Sequence, residues 1–276
     1  FILGLKKENP WCGLVGAVAA VALFFITTPQ MSIMYLLAIA APTTFFCEKA
    51  VSRTGTSLKG WYSLSKLSLL LIVPPSFCFV LLTAYFWLYG QGLGFVFIEK
   101  TNEIFDLYIT ALKGQGQNIN PSLSKQLDGV KKSFADTAPA LISIFWMSLI
   151  VLNGLIAQSI LKKSNRNQRP SFAIREVQIP RSFAVIFLSS LALASFSSGE
   201  LGYLVTNLTA ILAFPVMLTG LGVIHTFADK TNYSGSILLV LYLIIMFSRW
   251  AAIFVVLVGI ADHFLKLRNK VQADKV

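Results

Sequence analysis

Charge is what this chain is shortest of. Asp, Glu, Lys and Arg together make up 13% of its 276 residues, about half the share found in an ordinary soluble domain. Histidine occurs twice and cysteine three times. Cys12, Cys47 and Cys78 lie in or beside apolar runs without metal-ligand spacing. That excludes a zinc site or a disulfide framework and leaves them as small apolar residues. No Walker A loop, HExxH helix or Gly-x-Ser-x-Gly elbow occurs. The GQGLG stretch at 90–94 is no phosphate loop, since no strand precedes it and no lysine follows. No pair of acids stands at helical spacing inside an apolar run, so the constellation of an intramembrane protease or acyltransferase cannot be assembled. The expectation is a protein that is not an enzyme and needs no cofactor or metal.

Apolar surface is what the chain has in excess. Hydrophobic residues make up 55% of it, with Phe at 22 positions. Several runs approach the ~20 residues that carry a helix across a bilayer, and the alternation of a membrane barrel is absent. The expected fold is all-α: a polytopic transmembrane helix bundle of about seven to eight membrane segments, forming one integral membrane domain over 1–276. The runs are 11–27, 32–46, 64–88, 138–161, 182–196, 201–225 and 237–265. Pro74-Pro75 must kink or break the third. Gly16 and Ala20, four apart in the first, read as ordinary close helix packing. Asn153 and Gln158 in the fourth read as interhelical hydrogen-bonding groups.

The last run is too long for one untilted span. Two short helices turning near Ser248-Arg249-Trp250 are preferred over one long tilted helix. The turn moves Arg249 to an interface and returns the basic tail (Lys266, Arg268, Lys270 and Lys275) to the cytoplasmic side.

The formal charge of +11 does not indicate nucleic acid, because the bases sit in short loops between apolar runs, as the positive-inside rule requires. Lys49, Arg53, Lys59 and Lys66 form one such loop. Lys162, Lys163, Arg166, Arg169, Arg175 and Arg181 form another, 162–181, which is a candidate cytoplasmic interaction surface. Membrane lipids, anionic ones foremost, are the expected counter-charge. Between Gly90 and Thr137 five acids and five bases cancel. This non-cytoplasmic stretch divides into two amphipathic candidate helices, 94–113 and 121–134, that act either as a surface lid or as a solvated linker. The pattern of basic loops suits a bacterial inner membrane. The chain opens on Phe1 rather than Met, so upstream sequence is expected.

The polar residues inside or beside apolar runs gather towards the C-terminus: His225, Asp229, Arg249, Asp262 and His263. An ionisable group at membrane depth costs about 2.5–3.5 kcal/mol on insertion scales, so it usually faces a cavity or a partner. Asn207, His225, Arg249 and Asp262 are the candidate lining of a polar cavity. Asp262 beside His263 reads first as a helix-end anchor and second as a proton carrier.

The segments GLGVIHTFADK and GIADHFLKLR resemble the YybS-like family of predicted bacterial membrane proteins. Gly220, Leu221, Val223 and His225 match its Gly-Leu-x-Val-x-His segment, and Gly259, Asp262 and Arg268 match its terminal Gly-x-x-Asp with a following base. The LAIAAP and GWYSLSKL segments resemble earlier parts of the family. The family begins with a further helical hairpin that is missing here. It is distantly similar to the substrate-binding S components of energy-coupling-factor transporters. The resemblance implies a membrane subunit that captures a small-molecule substrate and relies on a coupling membrane subunit and ATPases. The alternative is a non-transport scaffold or regulator of envelope proteins working through the 162–181 loop.

Overall fold

The computed structural model describes residues 11–52, 61–114, 121–166 and 173–268. Among them it is all-α, with nine helices and no strand. In chain order these are α1 (Trp11–Ile26), α2 (Pro29–Val51), α3 (Leu64–Leu88), α4 (Leu93–Gly114), α5 (Pro121–Lys163), α6 (Arg181–Phe196), α7 (Gly199–Ala228), α8 (Ser234–Phe247) and α9 (Arg249–Leu265). A 3-10 turn, Ile174–Glu176, precedes α6.

The helix starts follow local chemistry. Thr28 caps α2 by accepting from the Met31 N–H, with Pro29 in the first turn. Ser63 caps α3 through the Lys66 N–H. Such a side chain satisfies a main-chain donor that the helix itself leaves free. Pro74 and Pro75 fall in the first turn of the second part of α3, Val73–Leu88, just after the interruption at Ile72. There a missing N–H costs no helical bond. Lys266, in the left-handed region at φ 48°, ends α9 by donating its N–H to the Asp262 carbonyl.

Helices stand at all eight expected membrane positions, but four are long and apolar enough to cross a bilayer: α2, α3, α5 and α7. The bent pair α8–α9 raises the number to at most five. This corrects the expectation of seven to eight segments, and the reason is length. At 1.5 Å per residue, the 16-residue α1 and α6 reach only about 24 Å of a ~30 Å hydrocarbon core. The legs of the pair, 14 and 17 residues long, reach about 21 and 26 Å. They meet at a 119° bend at Ser248, so the chain turns back at the expected point.

A second difference concerns the amphipathic region. α4 stands almost where expected, but 121–134 is not a separate surface helix. It runs without a break into the following span as the 43-residue α5, about 65 Å long. Pro139 lies inside this helix and does not end it.

Two compact units organise the chain. The first contains Phe1–Pro74, Trp146–Ala184 and Phe214–Val276; the second contains Pro75–Phe145 and Val185–Ala213. α7 supplies residues to both. It is also the most enclosed candidate span, with 61% of its apolar window buried against 17–22% in the other three. In the first unit α1 lies on α2 as the small residues suggest. A Cβ on Gly16 would come within 2.9 Å of the Ala40 side chain, and Ser32 Oγ donates to the Ala20 carbonyl at 2.6 Å.

Candidate functional site

A proline inside a helix removes one N–H and strands the carbonyl four residues earlier. For Pro139 that carbonyl belongs to Ala135. The hydroxyl of Tyr203, on α7, donates to it at 3.1 Å. One turn further along α7, Asn207 completes the repair. Its Oδ1 accepts the Ala140 N–H at 3.1 Å, and its Nδ2 donates to the Asp136 carbonyl at 2.9 Å. Asn207 is 1% exposed, and both ends of its amide are engaged. Glu200 lies on the same stripe and receives the Gly94 N–H at the start of α4, a favourable place for a carboxylate. In the second unit, therefore, α7 presents Glu200, Tyr203 and Asn207 to the main chains of α4 and α5.

The first unit applies the same logic once more. Pro42 strands the Ala38 carbonyl inside a π turn, Leu36–Ala40, and Trp146 Nε1 donates to that oxygen at 2.6 Å. Irregular turns of this kind persist where another group fills the gap.

The part of α7 in the first unit meets α9 through its backbone. A Cβ on Gly220 would collide with the Val255 carbonyl, and one on Gly259 with the Val216 carbonyl. Each glycine stands four residues after the carbonyl that faces the other glycine. This reciprocal contact lets the two backbones touch, as small residues do in membrane helix pairs, with Cα–H groups against carbonyl oxygens. Gly222 lies against the 3-10 turn, less tightly, since its Cβ would come 2.7 Å from the Ile174 carbonyl.

Arg268 closes this junction. Its Nε meets Asp262 Oδ2 at 2.9 Å, and its backbone N–H meets Oδ1 at 3.2 Å. Nη1 donates to the Arg175 carbonyl at 2.6 Å, while Nη2 donates to the Val177 carbonyl at 2.8 Å and weakly to the Thr219 carbonyl at 3.4 Å. The side chains of Arg268 and Asp262 are 5% and 8% exposed. Removing two charges from water is costly, and complete pairing with added hydrogen bonds is what makes such a pair tolerable. The arrangement also places the C-terminal end of the described chain against the 174–177 turn, in agreement with a hairpin that brings the tail back to the side of the 162–181 loop.

The four candidate cavity residues have separate surroundings. Asn207 is in the second unit and bonded as described. Asp262 belongs to the Arg268 latch. His225 Nε2 shares a 2.9 Å hydrogen bond with the Tyr242 hydroxyl and is partly exposed. Arg249 opens α9 at the bend, exposed, with its guanidinium 5.8 Å from the Trp250 ring centre. In the 162–181 loop, Lys162 and Lys163 form the last turn of α5, and Arg166 is exposed beyond it. Arg175 makes an exposed ion pair with Asp229 at 2.9 Å. Arg169, like Arg53 and Lys59, lies outside the described residues.

Tyr203 and Trp146 are functional residues that polarity in the sequence does not single out. The signal for both was available: an in-helix proline announces a stranded carbonyl, and an aromatic donor in a neighbouring helix can fill it. In the sequence Arg268 belongs to a basic tail; the structure makes it the partner of Asp262. Outside the spans, the hydrogen bond and charge of Glu103 raise the exposed Lys100 above the ordinary lysine value.

A separate cavity of about 120 Å³ lies in the first unit, lined by Phe46, Leu67, Leu71, Val151, Leu155 and Leu218 among others. None of the four candidates lines it. Its polar wall residue Ser68 turns its hydroxyl to the Ser65 carbonyl, so the wall offers hydrocarbon.

Four helices of membrane-crossing length and composition define a helical membrane protein. The chain belongs to the family described as "Predicted membrane protein (DUF2232)", whose match covers residues 1–263. No curated protein and no solved structure matches it.

Proposed function

We propose that this membrane protein is the solute-recognising subunit of a transport system, akin to the YybS-like proteins and to the S components of energy-coupling-factor transporters. The observation that carries the reading is the broken pair α8–α9, with its 119° bend and legs too short to span singly. Discontinuous helices of this kind form the binding sites of many secondary transporters. His225 and Arg249 are the groups in this reading that meet the solute, because the first residue is partly exposed and the second fully. Asn207 and Asp262 act through the scaffold. On this reading the chain crosses the membrane with α2, α3, α5 and α7, and with the bent pair α8–α9 as a fifth, broken span. It resides in a bacterial inner membrane and is not an enzyme. Energy comes from a coupling membrane subunit and ATPases.

The test is affinity purification of the full-length protein in mild detergent, with mass spectrometry of its companions. An ATPase pair with a membrane coupling subunit is the expected result. The protein isolated alone, with no loss of solute binding when His225 and Arg249 are replaced by Ala, overturns the reading. The exposed bases Lys162, Lys163 and Arg166 favour a second reading, a scaffold for other envelope proteins. Reversing their charges abolishes recruitment of such a partner if that reading is right.

A further inference from the structure

We infer that residues 173–180 form a strap over one side of the 120 Å³ cavity, and that the buried Asp262–Arg268 pair is the latch that holds it shut. The inference is independent of the transport reading.

The strap differs in kind from the rest of the wall. Every lining residue except Ile174 and Val177 belongs to α2, α3, α5 or α7. A long helix keeps its place through hydrogen bonds of its own. The strap's own main-chain bonds are those of one 3-10 turn, from the Glu176 N–H to the Ala173 carbonyl and from the Val177 N–H to the Ile174 carbonyl.

Other segments supply what else holds it. Ser65 Oγ, on α3, accepts the Gln178 N–H at 3.0 Å. The Arg175–Asp229 pair is exposed and ties it weakly. The main tie is Arg268, whose Nη1 and Nη2 reach the Arg175 and Val177 carbonyls at 2.6 and 2.8 Å. A charged donor makes the stronger kind of hydrogen bond. Those carbonyls lie at, or one residue after, the two strap residues that line the cavity. Asp262 fixes the guanidinium from α9.

A segment with few bonds of its own opens locally at less cost than the whole fold. With Arg268 withdrawn, Ile174 and Val177 leave the wall while the four helices stay. The cavity, already partly open to the surface, then widens on the side of the 162–181 loop. The position of the end of α9 thus decides whether the wall is complete.

Thiol accessibility of the full chain in detergent tests this. Val177→Cys puts a thiol on the strap at a position that is 5% exposed, with Cys12→Ser and Cys78→Ser in the background. Cys47, buried in α2, is kept as the gauge of general loosening. With the latch intact, a water-soluble maleimide labels position 177 slowly. Arg268→Met speeds that labelling about tenfold or more and leaves Cys47 unchanged. The double variant Asp262→Leu with Arg268→Met removes the buried charge imbalance but not the loss of grip. It therefore labels as fast at position 177 as the single variant, even where its thermal midpoint recovers. It also carries the test alone if Arg268→Met does not give a monodisperse protein. Unchanged labelling at position 177 in the double variant overturns the inference, because Arg268 then serves only to balance charge. A parallel rise at Cys47 shows general loosening and overturns it as well.

Discussion

Before Pro215, α7 holds its neighbours with side chains: Glu200, Tyr203 and Asn207 reach main-chain groups of α4 and α5. From Pro215 onward it holds α9 by having no side chain at the crossing, where Gly220 and Gly259 face the carbonyls of Val255 and Val216. The first device tolerates some separation and repairs a defect, the proline in α5. The second tolerates no added atom and creates close contact, which the Arg268 latch then closes. Polar bridging adapts to irregular backbone, whereas glycine contact demands regular backbone on both sides. One helix can thus combine two membrane packing chemistries, provided each is confined to its own stretch.

The comparison is broken most severely at Arg268. Arg268→Met leaves Asp262 buried without its partner and strips hydrogen bonds from the Arg175 and Val177 carbonyls. Losing one member of a buried pair costs about 3–5 kcal/mol, read as a lower thermal unfolding midpoint in detergent. Replacing both residues, Asp262→Leu with Arg268→Met, recovers most of that loss if the latch matters for charge balance.

Next comes Gly259→Val. Its new Cβ meets the Val216 carbonyl, a backbone atom that cannot turn aside, so overpacking of about 1–3 kcal/mol is expected. Gly235→Ala is the control: nothing lies within 4 Å of the position, and the change is neutral or stabilising by up to about 1 kcal/mol.

On the side-chain half of α7 the effects are smaller. Asn207→Leu leaves the Ala140 N–H and the Asp136 carbonyl without their bridge, for a loss of about 1–2 kcal/mol. Tyr203→Phe removes one hydrogen bond and costs about 0.6 kcal/mol, the average for such bonds in membranes. In a Pro139→Ala background the same change approaches zero, because the alanine N–H now meets the Ala135 carbonyl. A double-mutant cycle on the two positions reads this directly. Equal costs in both backgrounds would show that Tyr203 does not repair the proline.

Smallest is Arg175→Gln. Its side chains with Asp229 are 59% and 46% exposed, and such a pair is worth about 0–1 kcal/mol. The carbonyl that Arg268 uses belongs to the Arg175 backbone and survives the substitution.

How far the sequence could be read varies along these same elements. The hairpin was legible at Ser248 because a run from Ile237 to Leu265 exceeds one bilayer thickness and carries Arg249 at its middle. The break of α3 at its proline pair was legible because proline acts locally. The number of spans was not, since α1 and α6 end a few residues short of the required length. The continuity of α5 was not legible either, because Pro139 is tolerated only through Tyr203 and Asn207, which lie more than sixty residues away. What distinguishes Asn207, His225, Arg249 and Asp262 in the sequence is their polarity. Polarity identifies a buried need for a partner but not which partner meets it.

Composition and the spacing of apolar runs by themselves determined that this is an all-α membrane protein, where its helices fall, and which loops are basic. These are properties of each segment against lipid or water, and a segment carries them alone. The tertiary structure alone decided that Asn207 mends a helix, that Gly220 and Gly259 face each other's carbonyls, and that Arg268 neutralises Asp262. Each of those depends on a main-chain group presented at a fixed distance by another segment, and no single stretch of sequence contains that distance.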